Sequence, residues 1–374
     1  MIGSDCTSPA WLAGGGEMGG RMRAKDWSAS PLGYPETWSQ SVKTAVSICL
    51  NSRVPIALWL GPELRLVYND TYIPFLGDTK HPAMLGAPGR EAWGEIWAAI
   101  EPMHDEVAAG RATSVEDVQL FFARRLPREE VYVSWGYSPV LAADGTIEGT
   151  FDACNETTAK VVGKRRLATL RDLGAHSPEQ RSAEVACRNA AEVLHANPLD
   201  IPFAVIYLLD EEGMSARRVA GTRLDDCSTV FPESHPVIHG GPASGPWPLG
   251  RVAETSRSCQ ISDLPGTVGI FPAGPWPDPV ETAFVLPLAA QTQPRPAGFL
   301  IAGVSPRRIL DPDYRTFPRS RCRPYRHEHC GCACFRSGTR ARRGAGRDRS
   351  CQDDLLLQRQ PRVPHPADTH DESD

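Results

Sequence analysis

The stretch "IALWLGPELRLVYND", residues 56–70, decides the fold of the first half of this chain. Two apolar runs of strand length, 56–61 and 64–70, lie on either side of Pro62 and Glu63. Short apolar runs separated by a hairpin-sized connection are typical of paired β-strands. The stretch therefore predicts an antiparallel hairpin.

The sequence on both sides of this hairpin extends it into a sheet. Before it, "ETWSQSVKTAVSICLNS" (36–52) has apolar residues at helical spacing and predicts an amphipathic helix that ends near Asn51. After it come a broken helical region, of which "EAWGEIWAAIEPMHDEVAAG" is the clearest part, and three strands, "VEDVQLFFAR", "VYVSWGYSPVLA" and "TIEGTFDAC". Two strands, short helices and three strands predict an antiparallel sheet with helices on one face.

The second half of the chain predicts a second domain of the same class. Residues 155–175 are polar and favour a connecting helix, and another helix is expected from Ser177, as its N-cap, to Pro198. "FAVIYLLDEEG" (203–213) is a near-continuous apolar run typical of a central strand, and further strands follow it. The predicted fold class is α+β, with two antiparallel-sheet domains joined by a helix.

Composition sets the class of protein. The 374 residues are 41% hydrophobic and 23% charged, with a net charge of -5, which is ordinary for a soluble protein and gives no reason to expect specific nucleic-acid binding. No run approaches the roughly 20 apolar residues of a membrane span. The predicted location is the cytoplasm.

The Gly-rich residues 1–25, including "GGGEMGG", are predicted to be a flexible N-terminus and not a phosphate loop.

The last 57 residues differ in composition from the rest. Residues 318–374 contain five of the eleven cysteines and no lysine, and they lack a sustained apolar period. In "HEHCGCACF", His327, His329, Cys330, Cys332 and Cys334 are potential zinc ligands, but structural zinc sites use ligand pairs with two to four intervening residues, from two separate places. We therefore predict a disordered tail without a metal site.

Several motifs, in order, resemble those of one family. "DWSASPLGYPETW", "KHPAMLGAPGREAWGEIW" and "YSPVLAADGTIEGTFDACNETT", together with the hairpin stretch, resemble the N-terminal PAS domain of bacterial PAS-GAF sensor histidine kinases. "RRLATLRDLGA" resembles their linker helix, and residues 203–304 are similar to their GAF domain. The resemblance covers residues 14–317. It implies a PAS domain at 26–155, a linker helix and first GAF helix at 156–198, and a GAF domain at 199–317.

The resemblance also implies a function and shows where the chain departs from the family. The family senses signals for two-component phosphorelays, and its kinase domains follow the GAF domain. Here the sequence continues as "PRSRCRPYRHEHC" in place of the expected closing helix. Codons can be chosen for residues 355–369 that, translated one base later, give a segment resembling the phospho-acceptor motif. The hypothesis is that translation is frameshifted after about Phe317, so that no catalysis is expected from this chain.

Candidate binding residues lie in the first domain. Trp59, Trp93 and Trp135, with Tyr68 and Asn69, are predicted to line a pocket for a small-molecule signal, although the tryptophans alternatively fill the core. By the resemblance, Asn69 and Asp70 are expected to cap the next helix. No cofactor is predicted. His81 and His104 are more typical of structural histidines than of haem ligands, and Cys227 and Cys259 are expected to be ordinary thiols.

Three functions remain open from the sequence. The first is a sensory input module that binds a small ligand or a partner domain, with a homodimer through the PAS domain and linker helix. The second is a stand-alone regulatory or adaptor protein whose tail binds metal or nucleic acid. The third is a truncated product without function.

Overall fold

Two antiparallel sheets, each formed by one half of the chain, organise the computed structural model of this protein. The structure describes residues 9–175, 182–223, 229–240, 245–289 and 295–317. The predicted α+β fold with two antiparallel-sheet domains is confirmed. Predictions for the tail, residues 318–374, and for Cys227 lie outside the described residues.

The N-terminal domain is built on a five-stranded sheet with the order β2-β1-β5-β4-β3. Its strands are β1 (Ile56–Leu60), β2 (Arg65–Tyr68), β3 (Thr113–Phe122), β4 (Glu129–Leu141) and β5 (Ile147–Glu156). The predicted hairpin is present, with Ala57 opposite Tyr68 and Leu60 opposite Arg65. Between β2 and β3 lie α3 (Ile73–Lys80), α4 (Gly89–Ala92) and α5 (Trp97–Ala108), with a short 3₁₀ helix, Asp70–Tyr72, before them.

The N-terminal segment corrects one prediction. Residues 9–25 are not a flexible lead-in, because they contain a 3₁₀ helix (Ala10–Leu12) and helix α1 (Gly16–Ala24). Met18 and Met22 of α1 are fully buried in the core of the domain. Burial of these two side chains offsets the poor helix propensity of the glycines around them. The domain therefore begins before Asp26.

Helix α2 (Gln40–Asn51) follows a second short 3₁₀ helix, Pro35–Thr37, and confirms the amphipathic helix predicted before the hairpin. The Ser39 side chain accepts a hydrogen bond from the backbone N–H of Val42 and caps its first turn. Val46 and Cys49 on its inner face are fully buried. Helix α2 contacts β1 and β2, which places it against the hairpin that it precedes in sequence.

Two helices connect the domains. Helix α6 (Thr158–Ala175) is the predicted linker helix, and α7 (Ala183–His195) is the second one. The N-cap of α7 is Ser182, whose side chain accepts a hydrogen bond from Val185 N–H at 3.3 Å, and the predicted N-cap, Ser177, lies outside the described residues. Helix α7 ends before Pro198, as predicted.

The C-terminal domain is built on a six-stranded sheet with the order β8-β7-β6-β11-β10-β9. Its strands are β6 (Ala204–Leu209), β7 (Ser215–Thr222), β8 (Ser234–Pro236), β9 (Cys259–Ser262), β10 (Thr282–Ala289) and β11 (Pro296–Gly303), and its remaining helices are α8 (Leu249–Thr255), α9 (Leu264–Thr267) and α10 (Pro312–Thr316).

The second sheet is buried on both faces, which explains its near-continuous apolar strands. Along β6, Val205 and Tyr207 belong to one core and Ala204 and Ile206 to another. The first core includes residues of α8 and α9, and the second includes residues of α7 and α10. Alternate side chains of a strand point to opposite faces, so both faces of this sheet are covered.

Candidate functional site

A small cavity inside the N-terminal domain is the candidate site. Its volume is about 30 Å³. It lies between the inner face of the sheet and the helical segment before β3. The polar or aromatic residues that line it are Trp59, Tyr72, Phe75, Trp93, Phe122, Trp135, Tyr137, Asp152 and Cys154. Such a lining, mostly apolar with a few polar groups, is typical of small-molecule sites.

Three indole nitrogens in this lining are buried beside polar groups of the same lining. Trp59 and Trp93 are each 1% exposed, and Trp135 is 7% exposed. The Nε1 atoms of these indoles form no hydrogen bond of standard geometry among the described residues. Each indole nevertheless interacts with a neighbouring acidic group and partly offsets the rise in its pKa that burial causes: Trp59 with Asp152, Trp93 with Tyr72, and Trp135 with Tyr137.

Asp152 adds a buried carboxyl group to the same cavity. It is 3% exposed, and its Oδ1 atom has no partner among the described residues. Burial raises the pKa of Asp152 to about 8, and the nearby indole of Trp59 offsets this effect only in part. At neutral pH the carboxyl group is therefore mostly protonated, and it is a hydrogen-bond donor as well as an acceptor.

His104 contacts two rings of the cavity lining and also lines a larger groove. Its ring stacks on Tyr137 at 4.5 Å between centroids and meets the edge of Trp59 at 4.7 Å, and both of those rings line the cavity. On the other side His104 lines an open groove of about 650 Å³. Burial lowers the pKa of His104 to about 4, so the ring is neutral at pH 7.

The structure brings together three of the five predicted site residues. Trp59, Trp93 and Trp135 line the cavity, whereas Tyr68 and Asn69 do not. The Tyr68 hydroxyl is 3.0 Å from Nδ1 of His81. Asn69 is fully buried and its side chain holds the backbone, accepting from Ile56 N–H at 3.1 Å and donating to Val54 O at 2.7 Å. A role of Tyr68 and Asn69 in ligand binding stays a prediction, and this cavity does not include them.

The capping prediction for Asn69 and Asp70 is half right. Asn69 accepts a hydrogen bond from Tyr72 N–H and caps the 3₁₀ helix that follows. Asp70 instead accepts hydrogen bonds from Glu17 N–H at 3.0 Å and Met18 N–H at 2.7 Å. It thus caps α1, more than 50 residues earlier in the chain.

A buried ion cluster lies at the end of the same sheet. The Arg124 guanidinium donates to Glu129 Oε2 at 3.0 Å and to Glu156 Oε1 at 2.8 Å, and the side chains of Arg124 and Glu129 are 3% and 2% exposed. Burial alone would raise the pKa of Glu156, but the hydrogen bonds and charge of Arg124 hold it below its ordinary range. This cluster ties the beginning of β4 to the end of β5.

A second ion cluster joins the two domains. Arg165 of α6 donates to Glu130 Oε1 at 2.9 Å and to Asp200 Oδ2 at 2.7 Å, and both carboxylates are fully buried. Burial would raise the pKa of Asp200, but Arg165, with Arg166, lowers it. Arg165 therefore forms ion pairs with one carboxylate from β4 and with one from the segment just before β6.

Backbone and aromatic contacts extend this interface. Glu130 N–H donates to Arg307 O at 2.8 Å, and Arg308 Nη1 donates to Glu130 O at 3.0 Å. The rings of Phe121 and Trp276, one from each domain, lie edge to face at 5.7 Å. All the described residues belong to one compact unit, and this interface holds its two domains together.

Sequence reasoning missed Asp152 and His104 as part of the site. In "TIEGTFDAC" the inward phase of the strand contains Thr150, Asp152 and Cys154, which are all buried. A charged residue on the apolar phase of a strand was the available signal. His104 is held by contacts with the rings of Trp59, Trp97 and Tyr137. Contacts between residues so far apart in the chain leave no pattern in a single sequence.

Aromatic rings pack over one face of the sheet in the C-terminal domain. There the rings of Phe203, Phe231, Trp247 and Phe271 fill the space over the sheet, with Phe231 stacked on Trp247 at 5.1 Å. Cys259 is partly exposed, and its Sγ is 3.7 Å from Gln260 O. Within the described ranges no three His, Cys, Asp or Glu side chains cluster as metal ligands would.

Comparisons with known proteins give the following likenesses. No protein-family model matches the chain, and no curated protein matches it. The GAF domain from Acinetobacter phosphoenolpyruvate-protein phosphotransferase is 16% identical, with a TM-score of 0.31, over 42% of this chain and 88% of that one. A sensory box sensor histidine kinase from Vibrio cholerae is 14% identical, with a TM-score of 0.23, over 28% of this chain and 81% of that one.

A third solved structure is similar over both halves. The chromophore-binding domain of Stigmatella aurantiaca bacteriophytochrome is 13% identical, with a TM-score of 0.27, over 70% of this chain and 89% of that one. Since all these TM-scores are low, function is argued from the residues of this chain. In the part that the structure describes, no helix is both long enough and apolar enough to cross a bilayer.

Proposed function

We propose that this chain is the sensory input region of a two-component histidine kinase, in which a PAS domain binds a small molecule and a GAF domain passes the signal on. One observation carries the proposal. The cavity and the Arg124 cluster both include residues of β4 and β5, and the second ion cluster includes Glu130 of β4.

The register of β4 and β5 links cavity and clusters. Trp135 lies opposite Cys154 and Tyr137 opposite Asp152, and one step further along Val133 lies opposite Glu156. Side chains two residues apart point to the same face of a sheet. Glu156 therefore continues the row of cavity residues, and a ligand that displaces this row also acts on the Arg124 cluster.

The second cluster supplies the route to the GAF domain. Glu130 is on β4, Arg165 is on the linker helix and Asp200 is in the GAF half. A buried ion pair that loses one partner leaves an uncompensated charge, so these three residues move together or the cluster breaks at high cost. The close-packed aromatic core of the GAF domain is poorly compressible, so it can pass a displacement on without absorbing it.

An NMR experiment tests this coupling. In protein labelled with 5-fluorotryptophan, Cys154→Ala enlarges the PAS cavity and should shift the ¹⁹F signal of Trp276 at the domain interface, because the change travels along β5 and β4. Replacing Arg165 by Met in the same chain should abolish that shift. Cys49→Ala, which removes a buried thiol that is not part of the cavity lining, is the matched control. An unchanged Trp276 signal in Cys154→Ala would rule out the proposed route.

The histidine kinase parentage rests on the sequence motifs. We place the protein in the cytoplasm and expect no autophosphorylation when it is incubated with labelled ATP, because the resemblance ends before any kinase domain. Labelling at a histidine would contradict this expectation.

Nucleotide sequencing beyond the codon of Phe317 tests the frameshift, since an in-frame kinase after correction of one base is the expected result.

A further inference from the structure

The open groove of about 650 Å³ on the PAS domain shares no lining residue with the small cavity. Its walls come from the start of α2 and the segment before it, the β1–β2 hairpin, the C-terminal half of α5 and the beginning of β5. This volume lies within the range of small-molecule sites, which is roughly 300 to 1,000 Å³. The groove is therefore large enough for a ligand that the cavity cannot hold.

Carboxylates set the charge of this groove. Glu148 and Asp105 belong to its lining, and neither forms an ion pair among the described residues. The same lining contains no lysine and no arginine, and its histidine, His104, is neutral at pH 7 because burial lowers its pKa to about 4. The groove therefore attracts a cation and repels an anion.

Glu148 is held in place by the start of α2. The Ser39 hydroxyl donates to Glu148 Oε2 at 2.5 Å, and the same oxygen accepts from Val42 N–H at 3.1 Å as the N-cap of the helix. The other carboxylate oxygen, Oε1, forms no hydrogen bond among the described residues. A ligand can thus donate to a carboxylate that is already oriented, which reduces the entropic cost of binding.

A buried imidazole in the same lining also lacks a partner. His104 is 4% exposed, its Nε2 forms no hydrogen bond among the described residues, and its Nδ1 is 3.4 Å from Thr150 Oγ1. Buried polar groups of this kind are nearly always hydrogen-bonded in folded proteins. A neutral imidazole keeps one acceptor nitrogen, so a ligand that donates hydrogen bonds matches His104 as well as Glu148.

Much of the remaining lining is apolar. Trp38 is held by an edge-to-face contact with Trp27 at 5.3 Å and by its Nε1, which donates to Leu32 O at 2.8 Å. The aliphatic side chains of the lining are Leu32, Val42, Leu60, Leu64, Val107 and Ile147. A ligand that fits this groove therefore has an apolar body beside its charged group.

We propose that the groove is a second ligand site of the PAS domain, which binds an organic cation with a primary ammonium group and an apolar body. The ammonium donates to Glu148, Asp105 adds negative charge, and the apolar body lies against Trp38. This inference goes beyond the proposed function, which concerns the separate cavity and its route to the GAF domain.

Three probes of similar size and different charge test the proposal. They are 2-phenylethylammonium, 2-phenylethanol and phenylacetate. In protein labelled with 5-fluorotryptophan, the ¹⁹F signal of Trp38, assigned through Trp38→Phe, follows binding. We expect 2-phenylethylammonium to bind at least about tenfold more tightly than 2-phenylethanol, because a charge-assisted hydrogen bond is stronger than a neutral one, and phenylacetate to bind most weakly.

A matched pair of variants tests the role of Glu148. Glu148→Gln keeps an acceptor for Ser39 and removes the charge, so it should weaken the binding of 2-phenylethylammonium by about tenfold and leave that of 2-phenylethanol unchanged. Glu116→Gln, at an exposed position of the edge strand β3, should bind both probes as the wild-type chain does. The signal of Trp247, whose indole donates to Val230 O in the GAF core, should stay in place in every titration.

The outcomes that overturn the proposal are distinct from those of the proposed function. Equal affinities of the wild-type chain for the ammonium and the alcohol would overturn it, as would a Trp38 signal that responds to neither. This comparison needs no variant, so it decides the matter even if Glu148→Gln fails to fold. The response of Trp276 to Cys154→Ala, which uses no ligand, judges the sensory route separately.

Discussion

At the scale of single residues, burial shifts the pKa values of Asp152 and His104 in opposite directions, and both shifts favour the uncharged form of the side chain. Burial raises the pKa of Asp152 to about 8 and lowers that of His104 to about 4. Cys49, Tyr72, Tyr137 and Cys154, the other titratable groups near Asp152, have their pKa values raised by burial as well. Near pH 7 the site therefore carries almost no net charge.

The raised pKa of Asp152 predicts a pH-dependent stability. In the unfolded chain an aspartate ionises near pH 4, so between about pH 4 and 8 the folded state holds the extra proton and the free energy of unfolding falls as pH rises. Asp152→Asn lacks this dependence. We expect the variant to gain on wild type by up to about 5 kcal/mol between pH 4 and pH 8, measured by urea denaturation.

The matched comparison is Asp144→Asn, at an exposed position in the turn before β5, which should change wild-type stability by less than about 0.5 kcal/mol at either pH. Equal stability differences for Asp152→Asn at pH 5 and pH 8 would show that the carboxyl group is ionised at both.

Sequence reasoning found the aromatic members of the site but not its polar ones. The tryptophans were identifiable because large aromatic residues in strands and amphipathic helices point to the core. Tyr68 and Asn69 lie at the end of a strand, where neighbouring side chains face different surroundings. The sequence does not reveal that the Asn69 side chain is hydrogen-bonded to the backbone, which only the folded structure shows. Asp152 was hidden among apolar neighbours in a strand.

At the scale of elements, helix α1 shows why the N-terminal prediction failed. The segment is rich in glycine and has no local N-cap side chain. Its cap is the carboxylate of Asp70, which lies far along the chain, and Gly16 approaches that carboxylate so closely that a Cβ would lie 1.9 Å from Oδ2. Local propensity cannot reveal a helix whose start is fixed by a distant residue.

The Asp70 cap predicts a measurable loss of stability. Asp70→Ala removes the acceptor for Glu17 and Met18 N–H and should lower the free energy of unfolding by about 1 kcal/mol. Asp70→Asn keeps one acceptor oxygen and should lose less. Asp78→Ala, at an exposed position of α3, serves as the control and should stay within about 0.5 kcal/mol of wild type in the same denaturation measurement. Equal losses for the two exposed aspartates would argue against the cap.

The linker helix contains the residue on which the domain interface depends most. Arg165→Ala removes the arginine partner of the fully buried Glu130 carboxylate and leaves Asp200 with Arg166 alone, and it should lower the free energy of unfolding by about 3 kcal/mol. Arg171 lies on the same helix with 73% of its side chain exposed, so Arg171→Ala should change stability by less than about 0.5 kcal/mol. Thermal unfolding followed by circular dichroism compares the two, and similar effects would contradict a special role for Arg165.

At the scale of the whole molecule, the order of the elements was predictable and the domain interface was not. Period and turn signals identified both sheets and the linker helix, because those patterns are local. The contacts of Arg307 and Arg308 with β4 join positions more than 170 residues apart. Such pairings depend on how two finished domains meet, for which one sequence carries no periodic signal.

The predicted homodimer can be tested on the linker helix. Leu167 of α6 is 67% exposed, although it is a large apolar side chain, and α6 is the linker helix through which the homodimer is predicted. We expect the wild-type chain to sediment as a dimer and Leu167→Glu to sediment as a monomer at the same concentration. A monomeric wild-type chain would contradict the prediction, and Lys164→Glu, at an exposed position of the same helix, controls for added negative charge.

The position of Arg165 within α6 has a mechanical consequence. At 1.5 Å per residue, the guanidinium is anchored about 10 Å from the start of the helix at Thr158 and about 15 Å from its end at Ala175. A rigid rod that turns about a point off its centre moves its longer arm farther than its shorter one. If α6 turns about this anchor, its end at Ala175 moves in the opposite direction to its end at Thr158 and by about one and a half times as much.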